Sequence, residues 1–362
     1  MNYRLSTIHA RKTYTADTTE IIDIDVSDPI SQLIIELAVT NVGTVAPNAH
    51  AIACLTKIEL VDGSDVLFSL SGYEAEAVDW YHNLIIRSPW NMYLDGNDTQ
   101  RFVAINFGRH LWDPLLAFDP KKFSNPQLKL TLDINAGGNA PIQNKLQVWA
   151  AMFDQKSVSP IGFLMHKEIK SFPLTAAAFH EYTDLPTDFP YRKLFVRAQK
   201  AGTEPNSVLD HFKLSEDQDK RIVVDHGTED ILRTIAMRSP MMVEAILNYV
   251  ALASSYVYCT PTTRIVATGN TWNAAAGAGE IALYDGDGGR LKKISATATM
   301  NAQFHVSGYL PHGVWEIPFG NQADPDDWYD VTRVGALKLD VTTYAAAVTD
   351  AVQIFLQQLR KY

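Results

Sequence analysis

The sequence predicts an all-β protein built from two tandem domains of the sandwich or jelly-roll type. Short apolar runs alternate with period two and stop at Gly, Pro, Asn or Asp. The same landmarks recur in the same order in both halves. A length of 362 residues suits two cores rather than one.

Each half is long enough to bury about two thirds of the surface its unfolded chain exposes, so no covalent staple is required. The composition, 46% hydrophobic and 20% charged, is that of a globular chain rather than a disordered one. Cys54 and Cys259, one per half, exclude a disulfide scaffold and a four-cysteine zinc site, and read as small buried hydrophobes.

In the first half, Ile22 to Val26 alternates, and Leu33 to Val39 is a β-branched run closed by Asn41 and Gly43. Ile58 to Val61 and Val66 to Leu70 flank Asp62-Gly63-Ser64-Asp65, a hairpin signal because Asp-Gly supplies the positive φ of a tight turn. Tyr73 to Ile86 predicts a helix, with Ala75, Val78, Ile85 and Ile86 near helical spacing, ending before Pro89. Gln127 to Ile134 alternates again, and Lys145 to Phe153 predicts a buried strand. Pro160-Ile161-Gly162 breaks the pattern, which places the first domain at 1–160 and the second at 161–362, with strands expected to resume after Pro173.

The second half repeats this order. Glu20, Asp23, Pro29 and Leu33 recur as Glu181, Asp184, Pro190 and Leu194, at an offset of 161. Gly72-Tyr73-Glu74 matches Gly227-Thr228-Glu229 at 155, and Phe107-Gly108 matches Phe319-Gly320 at 212. Each Phe-Gly is followed by Asp-Pro, at Asp113-Pro114 and Asp324-Pro325. Leu128-Lys129-Leu130 matches Leu337-Lys338-Leu339 at 209, and Leu146-Gln147-Val148-Trp149 is similar to Val352-Gln353-Ile354-Phe355 at 206. Five matches in one order predict a duplication. The change of offset locates 57 extra residues in the second half, an insertion at about 238–315. Thr268-Gly269-Asn270, Ala274 to Gly279 and Asp285 to Gly289 make that stretch read as long surface loops around a few strands.

Met1 to Glu20 lacks the apolar segment of a signal peptide. Met241 to Cys259, the longest apolar stretch, contains Glu244 and Asn248 and reads as core. A net charge of −10 argues against strong nucleic-acid binding by the bulk of the chain. The ten histidines lack zinc-protease or His-x-His spacing and read as surface or core-edge residues. No nucleophile elbow or phosphate-cradling Gly-Lys-Ser/Thr loop occurs. Asp285-Gly286-Asp287-Gly288-Gly289 has the start of a calcium loop, but Ala296 falls where the closing Glu belongs. The acidic stretches Asp324-Asp326-Asp327-Asp330 and Glu216-Asp217-Asp219 read as solvated turns, and Trp112, Trp315 and Trp328 as core or interface residues. These groups leave a glycan-binding or glycan-cleaving β-sandwich as the alternative function. Arg4, His9, Arg11 and Lys12 precede any acid and suggest either a basic arm facing an anionic surface or a frayed terminus.

Asn106-Phe107-Gly108-Arg109 with Asp113-Pro114, the strand near Leu128 and the ending Val352 to Tyr362 resemble the double-jelly-roll major capsid proteins of tailless, membrane-containing bacteriophages, and more distantly the adenovirus hexons. The resemblance implies two upright eight-stranded jelly rolls with short helices, the second carrying an outward tower formed by the insertion. It implies homotrimers that act as pseudo-hexameric blocks of an icosahedral virion shell, made in the host cytoplasm. Implied partners are neighbouring trimers, vertex and minor capsid proteins, and an internal lipid membrane. No enzyme activity or cofactor is implied. Phe107, Gly108, Arg109, Asp113 and Pro114, with Phe319, Gly320, Asp324 and Pro325 in the second copy, would shape roll-end loops used in assembly. Arg4, Arg11 and Lys12 would face inward. Asn321 stands where a second Arg109 would be, so an Arg109–Asp113 pairing is not repeated.

Overall fold

The computed structural model describes residues 2–43, 46–88, 90–174, 178–250, 254–272, 281–284, 287–295, 300–344 and 351–362. The first half supplies β1 (Tyr3–Tyr14), β2 (Thr18–Asp23), β3 (Ile30–Thr40), β4 (Leu55–Asp62), β5 (Asp65–Leu70), helix α1 (Gly72–Asn83), β6 (Trp90–Tyr93), β7 (Asp98–Asn106), β8 (Pro126–Leu132) and β9 (Gln143–Phe153). One sheet has the order β1-β9-β3-β7, and β2-β8-β4-β5 forms the facing layer. Apolar residues of both layers meet between them: Leu33, Ile35 and Leu37 from β3, Leu146 and Val148 from β9, Ile58 and Leu60 from β4, Leu128 and Leu130 from β8. Alternation sets these faces, since a one-residue slip would turn every one of them outward.

The second half begins with β10 (Gly162–Phe172), β11 (His180–Leu185), β12 (Tyr191–Ala198), β13 (Leu209–Glu216), β14 (Arg221–Gly227) and α2 (Thr228–Arg238). The insertion follows as β15 (Met242–Val250), β16 (Ser254–Tyr258), β17 (Pro261–Trp272), β18 (Ile281–Tyr284), β19 (Arg290–Ser295) and β20 (Met300–Pro311). Then come β21 (Val314–Pro318), β22 (Leu337–Thr343) and β23 (Val352–Lys361). The orders β10-β23-β12-β21 and β11-β22-β13-β14 repeat those of the first half strand for strand.

The repeat extends to register. Leu33 faces Ile105 on β7 and Ala150 on β9; Leu194 faces Ile317 on β21 and Leu356 on β23. These are the partners that offsets of 161, 212 and 206 require. The rolls are joined by a parallel pairing of β5 with β10, in which His166 lies opposite Phe68 and Lys167 opposite Ser69. That seam fuses two four-stranded layers into one sheet of eight.

Three expectations are corrected. Strands resume at Gly162, not after Pro173, because β10 opens with five residues buried on both faces and so lacks period-two alternation. The insertion is strand-rich rather than looped: Thr268-Gly269-Asn270 lies inside the twelve-residue β17. Its larger sheet, β17-β20-β15-β6, recruits β6 from the first half, parallel to β15. Helix α1 ends at Asn83, earlier than Ile86, where Leu84 turns to φ 55° as its C-cap. Ala274 to Gly279, Asp285 and Gly286 lie outside the described residues. Within the described residues, no helix is long and apolar enough to cross a membrane.

Candidate functional site: the junction between the rolls

The roll-end residues build two loops that hold each other. Phe107 leaves β7 buried and stacks on Phe118, with ring centroids 5.0 Å apart. Gly108 follows where a Cβ would lie 2.5 Å from the Leu116 carbonyl oxygen, so no larger residue fits. The buried Asp113 carboxylate accepts from the Arg109 amide at 3.0 Å, from its guanidinium at 2.7 and 2.8 Å, and from the Leu115 amide at 3.0 Å. Burial raises the proton affinity of Asp113, but the Arg109 bonds outweigh it and hold the carboxyl below its ordinary value. Pro114 is exposed beside it.

In the second copy Phe319 packs against Tyr191 and Tyr329. Gly320 adopts φ 62°. Asp324 caps the turn at Pro325–Asp327 by accepting from the Asp326 amide at 3.1 Å. Asp327, which the repeat did not single out, takes the role of Asp113, accepting from the Asn321 amide at 2.6 Å. Arg109 then reaches across the copies and donates to the Ala323 carbonyl at 2.6 Å. Trp328 is buried with Leu116, Leu164 and Leu359, and its indole donates to the Asn321 carbonyl at 3.0 Å. These loops therefore spend much of their polar and apolar surface inside the chain.

A second contact was not legible as a motif. Arg101 on β7 is fully buried between Glu76 of α1 and Glu244 of β15, 2.9 Å from the latter. It also donates to the Ser88 carbonyl at 3.1 Å and to Thr260 at 3.2 Å. Glu244 accepts from Asn91 of β6 at 3.0 Å and from the Thr260 amide at 2.8 Å. His312, between β20 and β21, lies 3.0 Å from Glu76 and edge-on to His50. One knot thus ties α1, β6 and β7 of the first half to the insertion.

His50 and His312 are both buried, which corrects their reading as surface or core-edge residues. Burial lowers the His312 pKa to about 4, against the opposing pull of Glu76, so the ring is neutral. Burial alone would raise the two glutamates, but Arg101 outweighs it and holds both ionised. His50, Glu76 and His312 offer ligand atoms within 4.8 Å of one another. The Arg101 guanidinium already supplies the positive charge there, which makes the cluster a structural knot rather than a metal cradle.

The remaining expected groups separate. Arg4, Arg11 and Lys12 do not form a free arm, because residues 3–14 are a strand hydrogen-bonded to β9. Arg4 pairs with Asp28 at 2.7 Å, Arg11 with Glu36 at 3.5 Å and Asp98 at 3.7 Å, and Lys12 with Glu20 at 2.9 Å. The acids that neutralise this basic stretch, Glu20, Asp28, Glu36 and Asp98, come from later in the chain and could not be seen beside it. Of the carboxylate stretches, Asp217 caps the Ala336 amide and Asp330 the Thr332 amide. Glu216 departs from the solvated-turn reading: it is buried at the end of β13 and accepts from Tyr329 and Arg221. Trp315 is fully buried, and Trp112 stacks on Tyr3 at 4.3 Å.

No protein-family model and no curated protein matches the chain by sequence. Solved structures do match. The STIV MCP aligns over 99% of this chain and 97% of its own, at 12% identity and a TM-score of 0.62. The PBCV-1 virus capsid aligns over 99% and 94%, at 12% identity and 0.59. The major capsid protein P2 from bacteriophage PM2 aligns over 99% and 98%, at 11% identity and 0.56. Two seamed rolls with one strand order, matched end to end by these three, give the chain the double-jelly-roll fold.

Proposed function

We propose that this chain is a major capsid protein, a structural subunit whose trimers tile an icosahedral shell. The observation that carries the proposal is the end-to-end match: both rolls and the insertion align with proteins described as viral capsid proteins, with almost nothing left over on either side. Convergence on one roll would be unremarkable, but two rolls in tandem over the whole length is a far narrower architecture. In this reading residues 1–160 and 161–362 are the two walls of the block, and about 238–315 forms its outward tower. Its partners are copies of itself, neighbouring trimers, vertex and minor proteins, and an internal membrane on the opposite side; its place is the virion shell. The glycan-directed alternative gains nothing from the carboxylates, which serve as turn caps and ion-pair partners.

Sedimentation of the purified protein tests the proposal. A species at three times the 40.3 kDa chain mass is expected, with larger arrays at high concentration. A chain that remains monomeric at high concentration overturns it.

A further inference from the structure

Among the described residues, each of the two strands that join the rolls inside the chain has a counterpart that ends its own sheet. Within the chain, β5 is the last strand of its layer and β10 the first of the next, and they pair in parallel. By the duplication, β14 is the second copy of β5, and β1 is the first copy of β10. Both are edge strands: β14 ends β11-β22-β13-β14, and β1 begins β1-β9-β3-β7.

The counterparts can be assigned residue by residue from the ladders. Ile58 faces Leu70 on β5 and Lys213 faces Asp225 on β14, which sets an offset of 155. Ser69 therefore corresponds to Val224, and because Leu60 faces Phe68 while its counterpart Ser215 faces Ile222, Phe68 corresponds to Ile222, with Val223 as the bulged residue between them. Leu5 faces Ala151 on β9 and His166 faces Gln357 on β23, which sets 161 for β1 against β10. His166 and Lys167 therefore correspond to Leu5 and Ser6.

Burial differs as a missing neighbour requires. Leu67, Phe68 and Ser69 are all buried, whereas Ile222 is exposed and Val223 and Val224 are half-buried. His166 is 0% exposed with its ring 5.4 Å from Phe68, whereas Leu5, an apolar side chain, is 63% exposed. A strand edge carrying exposed aliphatic residues is a template for another strand.

Charge points the same way. At the seam Arg360 of β23 pairs with Asp65 of β5, at 2.9 Å. The counterpart of Arg360 is Asp154, and that of Asp65 is Lys220. Both are exposed. The signs are exchanged, yet the pair remains complementary.

We infer that β14 of one chain pairs in parallel with β1 of a second copy, repeating between chains the seam that β5 and β10 make within one. Ile222 then lies opposite Leu5 of that copy, Val224 opposite Ser6, and Lys220 meets Asp154. The contact is heterologous, head to tail, so it propagates until the rotation closes a ring. This inference rests on the shell-forming reading, and it supplies the strands and residues through which that reading's trimer would close.

A Leu5→Cys/Ile222→Cys variant tests it, because neighbouring strands lie about 4.8 Å apart, within disulfide reach. Cys54 and Cys259 are buried and leave the engineered pair as the accessible thiols. Oxidation should give covalent dimers and trimers on a denaturing gel, and neither single cysteine should give trimers. In parallel, Asp154→Lys and Lys220→Asp should each weaken the trimer about tenfold or more, since each places like charges together. The double reversal should restore it. Trimers that neither cross-link nor respond to single reversals overturn the strand pairing and leave the shell-forming reading standing. A chain that stays monomeric overturns both.

Discussion

At Arg101 three chemistries compete, and the result is testable. A guanidinium removed from water is costly, but here two carboxylates and a carbonyl receive it, and the cost of leaving any of them alone is larger. Arg101→Leu should lower unfolding free energy by about 3–5 kcal/mol, read from urea titration, because Glu76 and Glu244 lose their common partner. His312 gives the same knot a pH dependence. Its folded pKa, about 4, lies below the ordinary 6.5, so between those values the unfolded chain takes up a proton that the native chain refuses. Stability contributed at this residue is present above pH 6.5 and is lost as pH falls towards 4, by about 3 kcal/mol. His312→Gln should flatten that acid limb in a series of melting temperatures, and an unchanged limb would remove His312 as its source. None of this was legible in the sequence. Arg101, Glu76, Glu244 and His312 are far apart in the chain, and a lone charged residue in an alternating run carries no mark of being buried.

Elements were legible wherever one face is buried and the other wet. β3, β8 and β9 and the β4–β5 hairpin lie where alternation and the Asp62-Gly63 turn placed them. β10 was missed because burial on both sides erases the alternation, and β6 because four residues cannot carry a period. The repeated Gly72 and Gly227 looked equivalent and are not. At Gly72 a Cβ would meet the Leu55 and Ile52 carbonyl oxygens at 2.6 and 2.7 Å, all backbone atoms that cannot step aside cheaply. Gly227 is the N-cap of α2 without a side-chain hydrogen bond, and its nearest neighbour to a Cβ is 3.7 Å away. Gly72→Ala should therefore cost about 2 kcal/mol or more. Gly227→Ser should gain a few tenths, because a hydroxyl can accept from an orphan amide of the first turn. Thermal melts of the two variants should move in opposite directions. The roll-end loops teach a similar lesson: both Phe-Gly turns were found, but the Asn321 amide is held by Asp327 while Asp324 caps the turn that follows, since a cap is defined by where a carboxylate reaches.

Across the whole molecule the duplication was the most informative feature of the sequence, because strand order and register follow from offsets alone. What it could not supply was the seam, which depends on two edges of unlike sequence meeting. That seam has a consequence for unfolding. The core cluster that contains Leu33 and Phe68 runs on without interruption through Phe195, Phe212 and Phe355, so the two rolls share one apolar interior. The insertion instead packs around its own small cluster of Tyr93, Ile246, Val257, Cys259, Leu291, Ala302, Phe304 and Val306. A smaller cluster loses less buried apolar surface on opening, so it should open first, below the denaturant concentration that separates the rolls. The two native cysteines report this directly. Cys54 belongs to the shared core and Cys259 to the insertion, and burial raises both thiols well above their ordinary range, which keeps them unreactive while folded. Thiol labelling along a urea series, resolved by peptide mass, should show Cys259 reacting at lower urea than Cys54. Coincident labelling would mean that the Arg101 knot binds the insertion to the rolls tightly enough to make the chain one cooperative unit.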